Sequence, residues 1–181
     1  MNTFNFNFPE LDVAKILQVR DALVEKASKE ILNLAVQYFG QSTSSEISIA
    51  GFAGVKILAP AMEIYSPAGV EITDAGFFLH LSADLVTKLI TGDKATILII
   101  GHEYGHLVDM ATCTDIDNYE LDLATEIRCD SFAADHFGDA SSLIKFFQAY
   151  LEVFLQNVHL TSEIKSLISD NFNQRINSLR N

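Results

Sequence analysis

A single α+β domain is predicted, with a small antiparallel sheet ahead of a mainly helical body. Three observations carry this reading. Apolar residues recur three and four apart over most of the chain, the spacing of helices with one buried face. Between residues 46 and 82 the pattern changes to short β-branched and aromatic segments cut by Gly, Pro and Asp. The length of 181 residues, 49% hydrophobic and 20% charged, suits one folded domain with its own core.

Taken in order, residues 1–40 hold one long helix, PELDVAKILQVRDALVEKASKEILNLAVQYF, with Pro9 in its first turn and Gly40 ending it. Ile16, Val19, Leu23, Ala27, Ile31 and Leu34 form its apolar stripe and are expected to pack on the core. The polar loop QSTSSE follows. The sheet is expected over 46–82, from ISIAGFAGVKILA, MEIYSP, GVEIT and GFFLHLS. SADLVTKLI reads as a short helix capped by Ser82, and TGD as a break in which Asp93 caps the next helix. Residues 94–138 then give two helices, one ending near Met110 and one, YELDLATEIRCDSFAADHF, closing at Gly138, with ATCTDIDN as the loop between. Two amphipathic helices fill 140–181.

The net charge of −12 argues against nucleic acid, whose phosphates would be repelled. No window reaches the roughly 18–20 uninterrupted apolar residues of a membrane span. The opening MNTFNFNFPELD has neither the basic nor the apolar part of a signal peptide, and Cys113 and Cys129 do not make a disulfide framework. These features place the chain, as an expectation, in the cytoplasm.

The stretch ILIIGHEYGH carries the chemistry. Residues four apart share a helix face, so His102 and His106 can aim at one ion, and imidazole nitrogen suits zinc. Glu103, next to the first histidine, stands where a base would take a proton from water beside the metal. Gly105 removes a side chain between the ligands and lets another backbone or a substrate approach. The blander reading is a core helix with two satisfied histidines. It must desolvate a carboxylate as well, which is costly without a partner. A third ligand is sought on the following helix. Glu126 is preferred over Glu120 and Asp122 because Asp130 lies one turn on, where it can accept the second ring N–H of a ligand histidine, and Ala133 and Ala134 let the helices pack closely.

HEYGH followed by EIRCDSFAAD resembles the gluzincin metallopeptidases, which share HExxH and a later Glu-x-x-x-Asp. In size the chain is similar to the soluble CaaX-prenyl-protease-like and ImmA/IrrE-like members. The resemblance covers roughly residues 60–138 and is specific at the two motifs. It implies a zincin-like fold, one zinc ion per chain on His102, His106 and Glu126, Glu103 as catalytic base, and Asp130 behind the ligands. It also implies that the segment ahead of the motif helix forms a rim for an extended substrate. Near the chain's end QRINSL retains Arg175 and Ile176 of an Arg-Ile-x-x-Leu pattern without the His-Pro that precedes it in many relatives, and Arg175 is read as a surface residue.

Other candidates are read structurally: His80 as a satisfied strand histidine, His136 and His159 as helix-end histidines, Tyr104 as a packing residue turned from the metal face, and Cys129 as a small core residue. Cys113 as a zinc ligand is set aside for want of a matching motif. The leading expectation is thus a zinc metallopeptidase acting on a peptide or protein that pairs with a strand within 69–82. Its long N-terminal helix could shield the cleft, and a regulatory partner of unknown identity is left open. The alternative is a non-catalytic regulatory or interaction module stabilised by zinc. A third is a helical bundle without metal.

Overall fold

The computed structural model describes residues 13–39, 52–58, 67–112, 121–157 and 159–180. Among them are six helices and three strands: α1 (Val13–Phe39), β1 (Phe52–Ile57), β2 (Ala68–Thr73), β3 (Gly76–Leu81), α2 (Ala83–Ile90), α3 (Lys94–Thr112), α4 (Leu123–Phe137), α5 (Ala140–Leu155) and α6 (Ser162–Ser178). The α+β class stands. Cys113, the start of the predicted sheet and the MEIYS stretch lie outside the described residues.

The sheet differs from the expected antiparallel one. Its order is β1-β3-β2, with β2 antiparallel and β1 parallel to β3. A tight turn at Asp74 and Ala75 forces β2 and β3 into a hairpin; the Thr73 hydroxyl accepts from Ala75 N and donates to Gly76 O, and Gly76 takes φ +118°. β1 reaches β3 through a long excursion that includes β2, and such a connection permits parallel pairing. β3 is therefore bonded on both sides. Within 69–82 the outer edge belongs to β2.

β3 alternates cleanly. Phe77, Leu79 and Leu81 are buried, while Phe78 and His80 face the other side. On that outer face Glu71 accepts from Lys56 Nζ and lies 2.7 Å from His80 Nε2, so His80 is a satisfied strand histidine.

Ser82 caps α2 by accepting from Leu85 N, and Asp93 caps α3 by accepting from the Thr96 amide and hydroxyl. The core runs from Ala27 and Ile31 of α1 through the inner sheet face and α3 to Ile176 of α6. The stripe predicted for α1 is only partly used. Ala27 and Ile31 are fully buried, whereas Val19 is 54% and Leu23 37% exposed. The helix packs on β1 and α2 through a narrower face that includes Val24 as well as Ala27 and Ile31. No helix among the described residues is long and apolar enough to cross a membrane.

Candidate metal centre

α3 and α4 make the most extensive contact between two described elements, and glycine explains how close they come. A Cβ on Gly105 would lie 2.8 Å from Cys129 Cα, and one on Gly101 would lie 2.6 Å from the Phe137 ring. The approach that Gly105 permits is thus that of α4's own backbone. Gly105→Ala is expected to push the helices apart and to destabilise the chain by about 1–3 kcal/mol, as overpacking does. Urea denaturation measures this, and an unchanged midpoint would show that the seam yields freely.

That contact brings three ligand-type side chains together. His102 Nε2 and His106 Nε2 are 3.1 Å apart, and each is 3.4 Å from an oxygen of Glu126. Bonds of about 2.0–2.1 Å at a tetrahedral angle require neighbouring ligands about 3.3 Å apart, close to the spacing of the two imidazoles and of each imidazole from its nearer Glu126 oxygen. The group could hold a metal ion. Its two-nitrogen, one-oxygen donor set, half-buried at Glu126, suits zinc.

Each outer ring nitrogen faces a side chain of α4, and the two Nε2 atoms face each other and Glu126. His102 Nδ1 lies 2.8 Å from Asp130 Oδ1, although the contact departs from linear hydrogen-bond alignment. His106 Nδ1 lies 3.3 Å from Cys129 Sγ. Cys129 is a core residue as read, and burial pushes its thiol up to about 12. It also backs a ligand histidine, which its sequence position does not reveal.

Arg175 corrects the sequence reading. It is not on the surface but 9% exposed, with its guanidinium 4.5 Å above the Phe147 ring. Nε and Nη2 donate to the two oxygens of Asp130 at 2.7 and 2.8 Å, and Nη1 lies 2.8 Å from Glu126 Oε2. The reason is charge. Asp130 is completely buried beside Glu126, and two carboxylates cannot enter a core without a cation. The signal was present in the sequence. Phe172, Ile176 and Leu179 surround Arg175 at helical spacing, which puts it on the apolar face of α6.

The electrostatics follow from these contacts. Burial opposes charge on His102, but Asp130 and Glu126 outweigh it and raise the imidazole pKa to about 9. Burial likewise opposes ionisation of Glu126, yet His102, His106 and Arg175 hold it well below the usual carboxylate range. Glu103 goes the other way: burial raises its pKa above the ordinary value, despite the two histidines.

His102, Glu103, Glu126 and Arg175 form the polar end of a cleft of about 480 Å³. Pro67 and Ala68 at the start of β2, Ile99 of α3 and side chains of α5 and α6 complete its lining. Tyr104 packs between the rings of Phe77 and Phe137. His80, His136 and His159 do not line the cleft, nor does any described residue of α1. Neither a family model, nor a curated protein, nor a solved structure matches this chain.

Proposed function

We propose that the protein is a zinc-dependent metallopeptidase. The single observation that carries this is the convergence of His102, His106 and the Glu126 carboxylate into a group that could hold a metal ion, with a buried glutamate beside it in an open cleft. A structural zinc site is usually closed by a fourth protein ligand, and among the described residues only three ligand groups converge here.

His102, His106 and Glu126 would hold the ion, and zinc there supplies a Lewis acid that acidifies water and polarises a carbonyl. Asp130 fixes the ring of His102. Arg175 holds Asp130 and Glu126 in place and offsets part of their charge. Glu103 accepts a proton from the attacking water on its carboxylate. As the C–N bond breaks it delivers that proton to the leaving amine, so the water oxygen stays on the new carboxyl group. A pKa raised by burial makes Glu103 a stronger base than an exposed glutamate. The substrate backbone runs beside β2, the outer strand among the described residues, whose first residue borders the cleft.

The deciding experiment is metal analysis of the chain purified without added metal or chelator, next to Glu126→Ala. About one zinc per chain is expected, falling at least about 10-fold in affinity in the variant. Absence of zinc after incubation with it would return the histidines to the role of core residues.

A further inference from the structure

Resting on the metallopeptidase reading, we propose that the apolar half of the cleft is a specificity pocket for a bulky apolar side chain beside the scissile bond. Phe146, Tyr150 and Phe154 stand four apart on α5, so their rings form one row. Successive centroids are 6.0 and 5.8 Å apart, and Phe172 of α6 lies 5.6 Å from Tyr150. An amphipathic helix ordinarily buries such a row against another element. Here all three, with Phe172 and Ile168 of α6, stay only half-buried and line the cleft instead.

What fills this wall is set by its surroundings. It lines the same cleft as His102, Glu103 and Glu126, together with Pro67 and Ala68. A peptide bound at the polar end would lie along these rings. Benzene occupies a cavity of about 150 Å³, so a cleft of about 480 Å³ takes an aromatic or branched side chain and part of the backbone that carries it. An acidic side chain finds no free cation there. Arg175 is the cleft's basic residue, and its Nε, Nη1 and Nη2 are engaged by Asp130 and Glu126. Selection is therefore by apolar burial, with Tyr150 and Phe154 as the specificity-determining residues.

The test is calorimetric binding of three peptide hydroxamates to the zinc-loaded full chain. They differ only at the residue next to the hydroxamate: phenylalanine, alanine or aspartate. The phenylalanine probe should bind roughly 10- to 30-fold tighter than the alanine probe, and the aspartate probe weakest. In Tyr150→Ala and Phe154→Ala, whose folding is checked by thermal melting, the phenylalanine preference should fall to within about 3-fold. Zinc-dependent binding of all three probes with equal affinity overturns the pocket and leaves the metal site standing. So does a preference that survives both variants. If no probe binds a chain that does hold zinc, the open metal position is absent and both readings fall.

Discussion

Glu103→Gln is expected to lower peptide hydrolysis by about 10²- to 10⁴-fold while leaving the zinc content unchanged. The two properties separate because Glu103 is not one of the three converging ligands, although it is buried beside them. Glutamine keeps the volume and removes the basic oxygen. It also removes a buried carboxylate whose ionisation burial disfavours, so the variant should fold at least as well as the parent. Kinetics on a peptide library and metal analysis, made on the same preparation, check this. Hydrolysis that persists at the parental rate would take the base assignment away from Glu103. Loss of zinc in the variant would show that Glu103 belongs to the ligand set.

Arg175→Met should cost about 3–5 kcal/mol of folding stability, the largest structural effect expected of a single substitution in this site. Methionine matches the arginine stem and its packing against Phe147 and Phe172, so the loss reports the guanidinium and not a cavity. Asp130, with no exposed surface, would keep only His102 as a partner, and Glu126 would lose its contact with Nη1. Adding Asp130→Asn to Arg175→Met should recover a substantial part of the loss, because the uncompensated buried charge is then gone. Urea denaturation of the two singles and the double closes the cycle. Additive losses would mean that the fork between Arg175 and Asp130 is not what holds α6 to α4.

Much of this site is legible in the linear chain because its logic is helical. Four-residue spacing puts His102 and His106 on one face, and the same spacing puts Asp130 one turn beyond Glu126. Nothing but local geometry is needed for either pair. The caps are equally local: Ser82 and Asp93 act within three residues of themselves. Arg175 was misread because its partner is 45 residues away, and an arginine in an amphipathic helix is usually solvated. Val19 and Leu23 were misread for the opposite reason. Periodicity states that a face is apolar, not how much of it the neighbouring elements cover.

By itself, then, the sequence determined the α+β class, the helices with the Ser82 and Asp93 caps, and which residue types could share a metal, since each depends on interactions within a few residues. Tertiary structure decided the rest. It set the parallel placement of β1, the contact of α3 and α4 through Gly101 and Gly105 that draws Glu126 to the histidines, and the burial of Arg175 between two carboxylates. It also opened the cleft against α5 and α6. These depend on which surfaces meet once the core has closed, and on the need to neutralise the charges that closing it buries.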